Sequence, residues 1–205
     1  LGIFAIGLFA VPGAFAQSND TDTTPPIPEI TSLTTYTDPL NRFTIDVPSD
    51  WVLSDYDAAT GMIDFEDHTD DPNVDFDVHG LISIWYGEGL GTSKQTSSDS
   101  ANLELIEDEY AGFCSVLTME ADGKICYNYQ LLDSTAGPFS DTVDQSRKMY
   151  MIVESWTIEW ADGTTIDRVG TVVQVIDGAD IWEIITFADE EYKDAYFPAQ
   201  VISTA

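Results

Sequence analysis

In the C-terminal half of the chain three apolar-rich segments, 148–160, 167–176 and 181–187, follow one another with only short polar breaks, which carry Asp162-Gly163 and Asp177-Gly178. Asp-Gly readily supplies the positive φ of a tight hairpin, so segments joined this way run antiparallel. A meander of this kind commits the chain to a sheet. Upstream, Val52 to Tyr56 and Met62 to Phe65, around Ala58-Ala59-Thr60-Gly61, "VHGLISIWYG" closed by Gly87, and Ile125 to Leu132 also read as strands. Between them, Ser97, Ser98, Asp99 and Ser100 offer N-cap chemistry. Leu103, Ile106, Tyr110 and Phe113 then recur at helical spacing, which predicts an amphipathic helix over 99–113. Short-turned strands covered by one or two helices make the class α+β. The tail from Asp189 to Ile202 reads as a closing helix that breaks or begins near Pro198, because an interior proline costs about 3 kcal/mol.

The chain has 205 residues, 43% of them hydrophobic, which suits one core with neither metal nor disulfide needed to hold it. No repeat of fixed period and no second domain is legible. Charge is far more lopsided: 37 acidic residues against 7 Lys and Arg give a net charge of −30. Such a surface repels phosphate backbones and anionic headgroups, so nucleic acid and anionic membrane surfaces are not expected partners. The acidity reads as solubility in a saline medium.

Residues 1–16, LGIFAIGLFAVPGAFA, carry no charge and end in a small-residue cleavage pattern, with the cut expected between Ala16 and Gln17. They read as a secretory signal peptide that lacks its own N-terminal part. A membrane span is the weaker reading, since about 20 apolar residues are wanted and a proline and glycines interrupt this run. Residues 17–32 form a Pro- and Thr-rich linker with an N-glycosylation sequon at Asn19. Residues 33–205 are then one folded domain, secreted or otherwise extracytoplasmic.

That domain opens with YTDPLNRFTIDVPSDW, residues 36–51. Asp38-Pro39 with Asn41 predicts a turn, Phe43, Ile45 and Val47 alternate with polar residues as a half-buried strand, and Pro48 ends it before Ser49-Asp50 deliver Trp51. These residues resemble the N-terminal signature of the PsbP-like family, particularly its secreted archaeal-type members. Weaker echoes lie in DGKICYNYQLLDS and GADIWEIITFADEEY. The resemblance implies a central antiparallel sheet flanked by helices, an α/β/α sandwich. It further implies an accessory role, because members in photosynthetic organisms assist a membrane complex from its lumenal side. The expectation is an exported, non-enzymatic accessory or binding module at the cell surface, with an unidentified protein or surface complex as partner.

Cys114 and Cys126 lie 12 residues apart in a chain expected to be exported, which favours a disulfide between the helix end and the strand near Ile125. The densest cluster of candidate ligands is DFEDHTDDPNVDFDVH, residues 64–79, which holds both histidines. Asp67, His68, Asp70, Asp71, Asp75, Asp77 and His79 would suit Ca²⁺ by their oxygens, or Zn²⁺ or Cu²⁺ by imidazole with carboxylate. The spacing matches no EF-hand, and a solvated acidic loop is the plainer account. GEGLGTSK, residues 87–94, departs from a phosphate loop in its Lys placement and its Glu, and reads as a strand-to-helix connection. No hydrolase signature is present. Trp51, Trp85, Trp156, Trp160 and Trp182 read mostly as core, with Trp156 and Trp160 forming a binding patch if their shared face is uncovered.

Overall fold

The computed structural model describes residues 32–57, 61–67, 80–91, 98–118, 123–138, 147–190 and 201–203. They fall into two compact units, one drawn from the chain before Asp50 and after Lys193, the other from the residues between. Strands are numbered in chain order.

In the first unit, β1 (Leu33–Thr37) and β10 (Val201–Ser203) flank β2 (Thr44–Pro48) on either side, both antiparallel to it. Phe43, Ile45 and Val47 are buried, as their alternation predicts. The turn before β2 is organised by Asp38. Its Oδ2 accepts from the backbone N–H of Leu40 (3.0 Å) and of Arg42 (3.1 Å), while the Arg42 guanidinium donates to both carboxylate oxygens at 2.8 and 2.7 Å. Asn41 takes a left-handed φ of 55° to close it.

The second unit is a seven-stranded, wholly antiparallel sheet in the order β3-β4-β5-β9-β8-β7-β6. The strands are β3 (Val52–Asp57), β4 (Met62–Glu66), β5 (Gly80–Gly87), β6 (Ile125–Pro138), β7 (Lys148–Glu159), β8 (Thr165–Asp177) and β9 (Asp180–Asp189). The expected meander is β7-β8-β9. Its second hairpin turns in two residues, with Gly178 at φ 59°, a conformation in which a side chain would be strained.

The helix predicted over 99–113 is α1 (Asp99–Ala111), capped by the Ser98 side chain, which accepts from the backbone N–H of Ala101. A short second helix, α2 (Phe113–Leu117), follows at once, and Cys114 within it is joined by a disulfide to Cys126 of β6, with Cα atoms 5.0 Å apart. The expected disulfide is thus present.

Register assigns each side chain to a face, since directly paired residues point the same way. Tyr150, Ile152, Val172, Ile176 and Ile181 share one face and form a buried cluster with Ile106 and Tyr110 of α1. Cys126, Trp156 and Ile158 share that face and pack with Phe113 and Leu117 of α2. The opposite face holds Ile63, Phe65, Ile82, Ile84, Val175 and Ile184, all buried and all apolar.

The architecture is α+β, a mostly antiparallel sheet with helix packed on one face. This corrects the sandwich expectation in one respect: among the described residues both helices lie on the same face, because α2 continues directly from α1 and is tied to β6. The tail is corrected too. Asp189 does not begin a helix but ends β9, where it pairs with Arg168, and Val201–Ser203 is a strand on β2. Residues 191–200 lie outside the described residues, as do the expected signal peptide, the Ala16–Gln17 cleavage point and Asn19.

Candidate functional site

The helix-covered face carries an unusual load of polar side chains for an interior. Glu154 lies on it in the middle of β7, one strand in from the β6 edge, 0% exposed, with Leu131 beside it on β6 and Gly170 beside it on β8. Neither carboxylate oxygen of Glu154 has a hydrogen bond within ordinary geometry. Burial in this setting disfavours the charged form and pushes its pKa from 4.5 up to about 7, a rise only partly offset by the Tyr129 hydroxyl facing it.

Tyr129 reaches this face through a defect in β6. The strand pairs Tyr127 with Thr157 and Gln130 with Ser155, leaving one extra residue between, and Asn128 takes φ 56° to accommodate it. Burial raises the Tyr129 pKa, and the Glu154 and Glu107 charges raise it further. Toward the sheet centre, the Gln174 amide donates to Glu183, and Tyr110 of α1 bonds to the same carboxylate. Burial first, then Glu183, holds the Tyr110 hydroxyl firmly protonated. The helix-covered face thus carries two carboxyl–phenol pairs, Glu154 with Tyr129 and Glu183 with Tyr110.

The ring of Trp156 lies over Gly170. A Cβ there would come within 2.6 Å of the indole and 3.2 Å of the Thr186 carbonyl oxygen, so this position excludes any side chain. Phe113 and Phe187 meet the same indole edge-on, at centroid distances of 5.6 and 6.0 Å. The condition for a Trp156 and Trp160 patch is not met at Trp156, which is 2% exposed with Phe113 of α2 packed against it, in keeping with its reading as core.

At the end of β8 a buried ion pair joins Arg168 to Asp189 at 3.1 Å, with the guanidinium 4.6 Å above the Phe187 ring. At the other end, α1 is pinned to β7. Asp99 accepts from Lys148 at 3.0 Å and from the Tyr150 hydroxyl at 3.1 Å, and Asn102 donates to the same hydroxyl at 2.8 Å.

The candidate metal ligands fare unevenly. Asp67 is buried at the end of β4, with its backbone N–H donating to the Gly80 carbonyl at 3.0 Å, whereas His68, Asp70, Asp71, Asp75, Asp77 and His79 lie outside the described residues. Among the described residues no three His, Cys, Asp or Glu side chains gather as a metal site would need. Asp64, from the same stretch, points to the helix-covered face, and burial raises its pKa against an opposing hydrogen bond from Ser83. In the glycine-rich stretch, the Gly89 amide donates to the Asp180 carboxylate and the Gly91 amide to the Ala179 carbonyl. A Cβ on Gly91 would strike the Asp180 carbonyl oxygen at 2.7 Å. Gly91 thus serves close backbone approach and Gly89 a left-handed φ of 73°, as a strand-to-helix connection would ask, while residues 92–94 lie outside the described residues. No described helix is long and apolar enough to cross a membrane.

Sequence reasoning missed Glu154 and its neighbours. Their signal was faint: Glu154, Arg168, Gln174 and Asp189 are polar residues within long apolar strands, where alternation places them on one face.

No protein-family model matches the sequence, and no curated protein matches it. Among solved structures, the chain is similar to the cyanobacterial PsbP (CyanoP) of Synechocystis sp. PCC 6803, with 12% identity over 85% of this chain and 89% of that one, at a TM-score of 0.47. It is also similar to the Saccharomyces cerevisiae Ran-binding protein Mog1p, with 10% identity over 77% of each chain and a TM-score of 0.45. A Bacteroides thetaiotaomicron protein shows 12% identity over 83% of this chain and 48% of that one, at 0.42. These likenesses are of fold, at low identity.

Proposed function

We propose that the chain is an exported accessory or binding module of PsbP-like fold, without catalysis of its own, acting at the cell surface. The observation that carries the export is the Cys114–Cys126 disulfide, since such bonds persist in oxidising compartments. The uncharged stretch at residues 1–16 and the strongly acidic composition support the same reading. The binding role is supported by how the interior groups are placed. Glu154 is wholly buried and Glu183 is bonded to Gln174 and to Tyr110 of α1, an arrangement that ties the helix to the sheet rather than presenting groups to a substrate.

The test is made on intact cells that produce the full chain. Alkylation before and after reduction, read by mass spectrometry, is expected to find both cysteines protected in the extracytoplasmic fraction, on a chain beginning at Gln17. Two freely alkylated thiols on a cytoplasmic chain would overturn the export. Cross-linking on the same cells is expected to yield a discrete protein partner, and its absence would overturn the binding role.

A further inference from the structure

Among the described residues β6 is an edge strand of the large sheet. No described strand lies beyond it, and it is long, Ile125 to Pro138. Near one end of the strand the Cys126 amide is satisfied by the Thr118 hydroxyl, and further along the Ser134 amide is satisfied by the Asp133 carboxylate. Between these two capped points the chain presents Leu131 and Leu132, 41% and 53% exposed, with Leu132 pushed outward as the extra residue of a second bulge. Val116 of α2, 72% exposed, extends the same apolar character onto the short helix that the disulfide ties to β6. An open strand edge beside exposed large apolar side chains is the ordinary site of strand addition.

The charge around it selects the occupant. The helix α1 carries Asp99, Glu104, Glu107, Asp108 and Glu109, and β6 adds Asp133, while α1, α2 and β6 contain no Lys or Arg at all. Glu107 lies close enough to β6 for its charge to bear on Tyr129. A second copy of this chain, at a net charge of −30, would meet that edge with like charge. We infer that the β6 edge, with Val116 of α2, is the docking surface of the module for an extended segment of a partner protein that alternates basic and apolar side chains. The segment adds a strand outside β6, its apolar side chains covering Leu132 and Val116 and its cations facing the α1 acids. This rests on the binding role proposed above and names the surface and the kind of partner.

The test uses the full, disulfide-bonded chain and a capped peptide of about eight alternating lysine and valine residues, the length of an ordinary strand. Binding is expected to slow hydrogen exchange at amides of 127–132. Leu132→Lys and Val116→Lys, both at exposed positions and expected to leave melting unchanged, are expected to weaken it by about tenfold or more. Leu40→Lys, equally exposed but in the other unit, is the matched control and is expected to change nothing. A peptide with the same charge but N-methylated at every amide has no N–H to give a strand edge and is expected not to bind. Equal binding by that peptide, equal binding by the two variants, or no binding by the parent peptide would each overturn the inference. If the cell-surface cross-links appear but map elsewhere, the docking surface falls and the binding role stands.

Discussion

Asp38 and Glu154 are both wholly shielded from solvent, one in the turn before β2 and one in the middle of β7, and they respond to burial in opposite ways. Around Asp38 two backbone amides and both arms of the Arg42 guanidinium point at the carboxylate, and these bonds, the guanidinium first, lower its pKa. Around Glu154 nothing donates within ordinary hydrogen-bond geometry, and the pairing residues are Leu131 and Gly170. Burial alone therefore does not set the state of a carboxyl. The donors that the backbone can aim at it decide, and a tight turn aims several while the middle of a strand aims none.

The largest expected effect follows from breaking the satisfied site. Asp38→Ala removes four hydrogen bonds and leaves Arg42 without the carboxylate it was folded against. Loss of one partner of a buried pair costs about 3–5 kcal/mol. Hydrogen exchange at β1 and β2 amides is expected to accelerate accordingly, and an unchanged rate would show that the turn is held by its backbone alone.

The two sites also give the molecule opposite slopes in pH. Asp38 binds its proton less tightly folded than unfolded, so its contribution is present at neutral pH and lost as pH falls through its lowered folded value. Glu154 binds its proton more tightly folded, so its contribution is complete below about 4.5 and disappears as pH rises through about 7. The difference corresponds to roughly 3 kcal/mol of stability lost by mildly alkaline pH. Urea denaturation at a series of pH values is expected to show this decline, and Glu154→Gln is expected to flatten it between pH 5 and about 8. A decline that persists in the variant would assign it to other groups.

The contrast between the sites also explains what could be read in the sequence. The turn at Asp38-Pro39 and Asn41 was legible because its chemistry is local, although the Arg42 clasp was not, since its spacing is shared with many unrelated pairs. The meander, its Asp-Gly hairpins, α1 and the disulfide were legible for the same reason: each is written in neighbouring residues or in a spacing of 12. Glu154 was not, because its partners come from β6, β8 and α1, and only the register brings them together. The β6 bulge that turns Tyr129 inward leaves no mark in composition. The short strand at Val201–Ser203 was misread as helix because its pairing partner, β2, lies far back in the sequence.

Reducing the lid's attachment sharpens the comparison on the Glu154 side. The Cys114–Cys126 bond closes a short loop, and replacing both cysteines by serine is expected to cost about 3 kcal/mol through the unfolded chain. If α2 also keeps water from Glu154, the double variant will in addition lose its alkaline decline as the carboxyl gains solvent. A lower stability with the same pH slope would mean that α1 alone seals the site.

The smallest effect isolates α1 itself. Ser98 accepts from the Ala101 amide at 3.2 Å and is the one side-chain cap on this helix, so Ser98→Ala is expected to cost about 1 kcal/mol. The cap acts only on the first turn, next to the Asp99 contacts with Lys148 and Tyr150. Exchange is therefore expected to speed in α1, and the apparent pKa of Glu154 to fall slightly, while the Asp38 turn and its acid-side slope stay fixed. A helix that frays without moving the Glu154 titration would show that the carboxyl is shielded by Trp156 and the neighbouring strands, and that the cover over this face is redundant at Glu154.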